Sequence, residues 1–386
     1  MKQDGRQWQP TWTQAVTDFR GDDEEPPFAD VTVRMTVPAS IGGSHVRAEF
    51  SNRFGDEPVV IGRGAIGTGG QSLEIAFAGQ RSTTIPAGES RWTDPIELTV
   101  RPGDEVGVDL YLPEPTPYAT ANGFRFQRSA TPGDLVGSPE FPAPATGTGL
   151  AFEGAGWSLP SGGPFLRAVE VAGAPARAVI VCLGASITTM GWPQLTAARL
   201  PADAGIAVLN RGIPGNRLRY DAPAGHASWG RSGLSRFDED VLATTGVTHV
   251  VLAYASNDIG LPGEFAPLGE LPTAAQQIDA YRQLIDRARA AGLGVLLATI
   301  TPMAPGQDDF AAREQIRVAV NDWIRMSGLE FADFDETIRS AAAPARIAAE
   351  YDAGDHQHPN VTGENRLARA MVEAIARLPV GAGLGR

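Results

Sequence analysis

From about residue 175 onward, the sequence alternates short apolar segments with stretches of helical periodicity. Five segments are predicted strands, and the first four of them are strongly apolar: RAVIVCLG, GIAVLNRG, VTHVVLAYA, GLGVLLATI and EFADFD. Strands and helices in alternation predict a parallel sheet with helices on both faces. Ligands of such sheets bind beyond the carboxyl ends of the strands. Functional residues are therefore expected in the loops that follow these segments.

The clearest helix between the predicted strands is TAAQQIDAYRQLIDRARAAG. Its apolar residues recur at helical spacing, and Gly292 supplies the stop. These residues are Ile278, Tyr281, Leu284, Ile285 and Ala288.

The preceding part of the chain has a different pattern. From Asp30 to about Leu112, short alternating segments such as DVTVRMTV, HVRAEFSN, PVVIGRGAIG, LEIAFAG, DPIELTV and EVGVDLYL are separated by turn clusters. This pattern is typical of an antiparallel β-sandwich. A chain of 386 residues also exceeds the size at which a single core keeps growing. We expect an accessory β-sandwich over 1–170 and a three-layer, flavodoxin-like α/β domain over 171–386.

Charge and composition limit the partners of the chain. With 32 basic and 45 acidic residues, the net charge is -13, which repels phosphate backbones and anionic membranes. Neither nucleic acid nor a membrane is expected as a partner. The N-terminus has no apolar signal segment, so a soluble protein is expected, either cytoplasmic or a processed secreted form. The single cysteine, Cys182, excludes an intrachain disulfide and is expected to pack as a small hydrophobe.

Polar residues lie where the predicted strands end. Ser186 follows the first strand, Gly215 follows the second in NRGIPGN, and Asn257 follows the third in YASNDIG. Far downstream, Asp355 and His358 lie three residues apart in DAGDHQHP, a segment typical of a tight turn. Taken alone, Ser186 is better explained as a helix N-cap. Together, the five residues supply what acyl transfer requires.

The chemistry assigns one role to each residue. Ser186 is the candidate nucleophile, His358 the general base, and Asp355 the carboxylate that orients the base. The N–H groups of Gly215 and Ser186 and the Asn257 amide are candidates for an oxyanion hole. No metal or organic cofactor is expected.

These residues resemble the SGNH or GDSL-like esterases. The four sequence blocks of that family occur in order as GASIT, GIPGN, SND and DHQHP, over roughly residues 175–380. The resemblance implies the same nucleophile, oxyanion hole and triad as the chemistry does. The segment VRAEFSNRFGDEPVVIGRGAIG is similar to the β domain that precedes the catalytic domain in one bacterial branch of the family.

The sequence departs from the family pattern at two positions. The family usually has Gly-Asp-Ser where this chain has Gly184, Ala185 and Ser186, and it usually has glycine where this chain has Ala255. The missing aspartate is not part of the triad, so its absence does not imply loss of activity. Ala185 is nevertheless a candidate pocket residue, because its replacement of a carboxylate can reshape the surroundings of the nucleophile.

Other interpretations remain open for several residues. His356 and His358, with Asp355, could be metal ligands, although the other histidines are in no ligand motif. Asp335 also follows a strand and competes with Asp355 as the orienting acid.

Two further residues are pocket candidates with structural alternatives. Trp229 is either a core anchor or a wall of the acyl pocket, with core slightly favoured. Asp258 is a pocket candidate that could instead form an Asx-turn with Asn257.

The predicted function is hydrolysis of a carboxylic ester through an acyl-enzyme intermediate, with a small-molecule or carbohydrate ester as substrate. One alternative is removal of O-acetyl groups from a polysaccharide. Another is a carbohydrate-binding protein that has lost catalysis, with Ala185 as a trace of that loss. The acyl group, the alcohol and the oligomeric state are not predicted.

Overall fold

The structure is a computed structural model that describes residues 5–20, 27–122, 127–139, 163–303 and 310–381. The chain forms two compact units. The first comprises Met1–Ala176 with Gly225–Ser228, and the second comprises Arg177–Ala224 with Trp229–Arg386.

The described residues of the first unit form mainly strands and loops. In chain order the strands are β1 Trp8–Thr13, β2 Thr17–Asp18, β3 Val31–Pro38, β4 Gly43–Ser51, β5 Val59–Ile61, β6 Arg63–Thr68, β7 Gln71–Glu74, β8 Thr83–Ile85, β9 Ser90–Trp92, β10 Ile96–Val100, β11 Glu105–Leu112, β12 Thr120–Ala121, β13 Gln127–Pro132 and β14 Leu166–Ala172. One antiparallel sheet has the order β1-β14-β4-β10, with β9 also paired to β4, and another has the order β13-β3-β11-β6-β7. The predicted sandwich is confirmed.

Strand β11 shows why this half folds as sheets. Its residues alternate, and Val106, Val108 and Leu110 are fully buried on one face. In register with β3, Val108 pairs with Met35 and Leu110 with Val33. A period of two therefore places one apolar face of the sheet in the core.

The second unit contains a five-stranded parallel sheet. Its strands are β15 Ala178–Gly184, β16 Ile206–Gly212, β17 His249–Ala253, β18 Gly294–Ala298 and β19 Glu330–Ala332, in the order β16-β15-β17-β18-β19. The five strands coincide with the five predicted segments. Counted within the unit, the order is 2-1-3-4-5, the flavodoxin-like arrangement, and the direction of winding reverses between β15 and β17. That reversal opens a crevice at the carboxyl ends of these two strands.

Helices flank this sheet. The α-helices are α1 Ser186–Thr189, α2 Trp192–Ala197, α3 Gly233–Phe237, α4 Ser256–Gly260, α5 Ala274–Ala290, α6 Phe310–Met326, α7 Phe334–Ile338 and α8 Val361–Ala376. A π-helical turn at Asp238–Leu242 continues α3. Short 3₁₀ turns occupy Ala227–Trp229, Leu268–Glu270 and Pro379–Gly381.

Helix α5 follows its sequence signals. Thr273 and Gln276 form a capping box at its start, and Gly292 adopts φ +75° just after its end. Tyr281 and Leu284 are fully buried on the apolar face, as predicted.

Strands β1 and β14 lie outside the segments that the sequence predicted. All six residues of β1 are buried, including the polar residues Gln9 and Thr11. Thr11 Oγ1 donates a hydrogen bond to the Ile41 carbonyl, and Gln9 accepts one from the Ala176 N–H. Buried, hydrogen-bonded polar residues remove the apolar alternation from which a strand is predicted.

Candidate active site

The candidate nucleophile, Ser186, lies just after the carboxyl end of β15. Ser186 is the first residue of α1, directly after β15, and only 6% of it is exposed. The N-cap position belongs to Ala185, which makes no side-chain cap bond. The Ser186 hydroxyl instead lies 2.8 Å from Nε2 of His358. This contact favours the nucleophile interpretation over the helix cap.

His358 and Asp355 are joined within one turn before α8. Nδ1 of His358 lies 2.5 Å from Oδ2 of Asp355, and the His358 backbone N–H donates to Oδ1 at 2.8 Å. The Gln357 N–H donates to the same oxygen. Burial would raise the pKa of Asp355, but these hydrogen bonds and the adjacent imidazole hold it below its usual value. The carboxylate is therefore ionised across the neutral range.

A second carboxylate supports this turn. Asp352 Oδ1 accepts the Gly354 and His356 N–H groups at 2.7 and 3.0 Å, and Oδ2 lies 2.6 Å from Nδ1 of His356. His356 adopts φ +62°, a left-handed conformation unfavourable for an L-residue. Asp352 thus fixes the backbone that carries Asp355. The imidazoles of His356 and His358 are bonded to different carboxylates.

Gly215 lies in the loop after β16, and its conformation requires glycine. Its φ is +71°, and a Cβ there would lie 2.3 Å from Cδ2 of Trp229. Within the described residues, the N–H groups of Gly215 and Ser186 make no hydrogen bond. These two N–H groups are therefore available to an oxyanion.

The side-chain amide of Asn257 is held in place by one hydrogen bond. One N–H of its side chain donates to the Asn216 carbonyl at 3.0 Å, and the residue is 4% exposed. An amide nitrogen carries two N–H groups, so this bond fixes the plane of the amide and leaves the other N–H for a ligand. The preceding Ala255 adopts φ +97°, a conformation that favours glycine.

Arg236 connects the loops that carry the candidate site residues, and the sequence reasoning missed it. The residue is 2% exposed and donates five hydrogen bonds of 2.6 to 3.0 Å. The acceptors are the carbonyls of Gly184 and Arg211, the side-chain oxygens of Asn216 and Asp240, and the Tyr254 hydroxyl. A rigid guanidinium fork thereby ties together the ends of β15, β16 and β17. The spacing of Arg236 and Asp240 on a helix was the one sequence signal for this cluster.

The two pocket candidates next to the proposed catalytic residues are both buried. Ala185 is 4% exposed and lines a small cavity together with Trp192 and Thr301. Asp258 is 2% exposed, and its carboxylate accepts the N–H groups of Leu218 and Arg219 at 2.8 and 3.0 Å. Burial raises the pKa of Asp258 to about 6 despite these two bonds. Asp258 thus fixes the backbone of Leu218 and Arg219, which follows Gly215.

Trp229 and Asp335 lie in different surroundings. The half-buried Trp229 ring packs against Gly215 and makes an edge contact with Phe265, with ring centroids 5.6 Å apart. Asp335 accepts hydrogen bonds from Arg317 and Arg325, at 2.6 and 2.8 Å. The structure therefore places Asp355, and not Asp335, beside the imidazole of His358.

Comparison with known proteins identifies the family of the second unit. A family model described as GDSL-like lipase/acylhydrolase matches residues 172–366, about half of the chain. The chain belongs to this family. Members of the GDSL-like lipase/acylhydrolase family hydrolyse ester bonds, and a triad with an oxyanion hole is a feature of the family.

Solved structures of a GDSL-like lipase and of an acetylxylan esterase resemble part of the chain. A GDSL-like lipase from Bacteroides thetaiotaomicron is 18% identical, with 52% of this chain and 89% of that chain covered and a TM-score of 0.39. The acetylxylan esterase Axe2 from Geobacillus stearothermophilus is 20% identical, with 54% and 98% covered and a TM-score of 0.40. No curated protein matches the chain.

The helices of the described residues are too short or too polar to span a membrane.

Proposed function

We propose that the protein is a serine hydrolase that cleaves carboxylic esters through an acyl-enzyme intermediate. The observation that carries the proposal is the continuous hydrogen-bonded chain from the Ser186 hydroxyl through the His358 ring to the Asp355 carboxylate. A serine hydroxyl is a weak nucleophile near neutral pH, and an adjacent imidazole that is oriented by a carboxylate activates it.

The proposed proton path runs from Ser186 through His358 to the leaving group. Ser186 Oγ attacks the ester carbonyl while its proton passes to Nε2 of His358, 2.8 Å away. The imidazolium that forms faces the Asp355 carboxylate, which stabilises its charge and keeps Nδ1 protonated. His358 then gives the proton to the leaving alcohol, and Ser186 carries the acyl group. A water molecule, activated by the same imidazole, hydrolyses the acyl-enzyme.

Three donors are proposed to hold the oxyanion of the tetrahedral intermediate. They are the N–H groups of Ser186 and Gly215 and the second side-chain N–H of Asn257. Each belongs to a buried or sterically fixed residue, so little reorganisation is needed when charge develops on the carbonyl oxygen. Arg236 is proposed as a positioning residue. It binds the Gly184 carbonyl at the end of β15 and the side chain of Asn216, whose carbonyl in turn holds the Asn257 amide.

The test compares wild-type protein with Ser186→Ala on p-nitrophenyl acetate. Because the substitution removes only the hydroxyl, we expect a folded variant whose kcat is lower by about 10³-fold or more. Wild-type protein should also label stoichiometrically with a fluorophosphonate at Ser186. Ser340→Ala, which removes a hydroxyl that accepts one turn N–H, is the matched control and should keep wild-type activity.

Two results would contradict the proposal. Wild-type protein that hydrolyses no short ester would favour the interpretation as a binding protein that has lost catalysis. A folded Ser186→Ala variant with nearly wild-type turnover would remove Ser186 from the mechanism.

A further inference from the structure

A groove in the second unit adjoins the residues that surround Gly215. It has a volume of about 950 Å³, within the range of small-molecule binding sites. Its walls come from the segment after Arg217 and from the segment between α4 and α5, including Tyr220, Phe265 and Leu268. The proposed mechanism uses none of these three residues.

One aromatic contact connects the groove with the oxyanion-hole candidate. The Trp229 ring lies directly over Gly215, and its edge contact with Phe265 extends this aromatic surface to the groove wall. A substrate whose carbonyl lies at Gly215 can therefore extend along Trp229 toward Phe265 without leaving the protein surface.

Apolar surface is exposed in the groove. Phe265 is 44% exposed, Leu268 is 60% exposed and Tyr220 is 36% exposed. Large exposed apolar side chains that cluster in a concave site indicate a ligand with apolar faces. The guanidinium groups of Arg217 and Arg219 lie 5.4 and 5.1 Å from the Tyr220 ring centre, and these cation–π contacts hold that ring in place.

Charged side chains of both signs also line the groove. They are Arg217, Arg219, Asp221, Glu264 and Glu270. Arg217 and Glu270 form an ion pair. The other three groups carry one positive and two negative charges, so the lining has no strong charge of either sign and favours neither a polyanion nor a polycation. The charge of -13 on the chain also disfavours an anionic polymer. An alkyl chain would be placed beside these charged groups, which bind water strongly.

We infer that this groove binds the alcohol part of the ester, and that this alcohol is a neutral carbohydrate. Sugar rings combine apolar C–H faces, which stack on aromatic rings such as Phe265, with hydroxyls that hydrogen-bond to carboxylates and guanidinium groups. The inference rests on the proposed function and names its substrate class.

The test is Phe265→Ala, assayed on acetylated neutral oligosaccharides and on p-nitrophenyl acetate. We expect KM for the oligosaccharide to rise about tenfold, because loss of one aromatic contact costs about that factor in affinity. The kcat/KM for p-nitrophenyl acetate should stay within about twofold, because its leaving group is too small to need the groove. Met326→Ala is the control, because it removes an exposed apolar side chain of α6 that does not line the groove. It should leave KM and kcat unchanged for both substrates.

A binding measurement separates affinity from turnover. Calorimetric titration of Ser186→Ala protein with the same oligosaccharide should detect binding, and adding Phe265→Ala should weaken it about tenfold.

Other outcomes overturn the inference. An equal loss on both substrates would place Phe265 in the catalytic machinery. Both proteins, wild-type and Phe265→Ala, are also assayed on p-nitrophenyl octanoate, whose acyl chain is long; a rise in KM confined to this ester would make the groove an acyl-chain site. Unchanged kinetics of Phe265→Ala would show that the groove does not bind the alcohol. A wild-type enzyme that cleaves p-nitrophenyl acetate but no acetylated xylo-, manno- or cello-oligosaccharide would show that the alcohol is not such a carbohydrate. Neither result contradicts the proposed function. If wild-type protein does not cleave p-nitrophenyl acetate, the proposed function itself fails.

Discussion

The buried carboxylate of Asp258 gives the protein a measurable dependence of stability on pH. This side chain accepts the N–H groups of Leu218 and Arg219, just after the loop of Gly215, and burial raises its pKa from 3.8 to about 6. Asp258→Asn removes the titration while preserving the size and shape of the side chain. We expect the free energy of unfolding of the variant to lack the part of the pH dependence that comes from Asp258.

The sign follows from the direction of the pKa shift. The folded protein binds the proton of Asp258 more tightly than the unfolded chain does, so this group stabilises the fold most at pH values below its unfolded pKa. That stabilisation is lost as the pH rises from about 4 to about 6, through the folded pKa. The shift of about two pKa units corresponds to about 3 kcal/mol between pH 3.5 and pH 7. Asp355, whose folded pKa is lowered, contributes with the opposite sign in both proteins and cancels in their difference.

The assay is urea unfolding of both proteins at several pH values between 4 and 7. The asparagine amide presents an N–H to one of the two backbone donors, so Asp258→Asn is expected to be less stable by a constant amount. Only the change with pH is diagnostic: the wild-type stability minus the variant stability should fall by about 2 kcal/mol between pH 4 and pH 7, because part of the unfolded-state titration is already complete at pH 4.

A difference that stays flat, or that rises with pH, would refute the argument that desolvation outweighs the two backbone hydrogen bonds. If the variant does not fold, the unfolding comparison is replaced by carbon-13 NMR titration of the aspartate carboxyl groups in the wild-type protein. A carboxyl titrating near pH 6 is expected, and titration of every carboxyl below pH 4.5 would contradict the prediction.

Two further predictions concern the departures from the family pattern. Ala185→Asp should move the acidic limb of the kcat/KM profile to higher pH, because a carboxylate there favours protonated His358. Since Ala185 is buried, raising the salt concentration should reverse this shift only slightly, and an unmoved limb would contradict the prediction. Ala255→Gly should stabilise the protein by about 1 kcal/mol with unchanged kcat, because glycine adopts φ +97° without strain. Urea unfolding measures this change, and destabilisation would show that Ala255 is not strained.

The parallel sheet was predictable because its strands are buried on both faces. Every residue of β15 is buried, so the strand appears in the sequence as a continuous apolar run. Ser186 and Asn257 follow two such runs, and the reversal of winding between β15 and β17 brings their loops to one crevice. Predicting the strands was therefore enough to predict that these side chains lie close together.

The supporting residues were harder to predict, because their partners are backbone atoms. Arg236 binds the carbonyls of Gly184 and Arg211, and Asp352 binds the N–H groups of Gly354 and His356. A carbonyl or N–H carries no sequence signal. Such contacts depend on the final path of the chain, whereas the chemistry of serine, histidine and aspartate is visible from residue type alone.

The spacing of the proposed triad along the chain has a consequence for how activity reports on the fold. Asp355 and His358 are three residues apart, so one turn suffices to join them, but Ser186 and His358 are separated by 172 residues. Closing so long a loop requires β15 and the segment before α8 to be in their native positions. If the proposed mechanism holds, turnover of an ester therefore requires one long-range contact, the 2.8 Å pair of Ser186 Oγ and His358 Nε2, which no local structure provides. A small shift of α8 would move His358 away from Ser186 and abolish turnover, while the helix and strand content stayed the same.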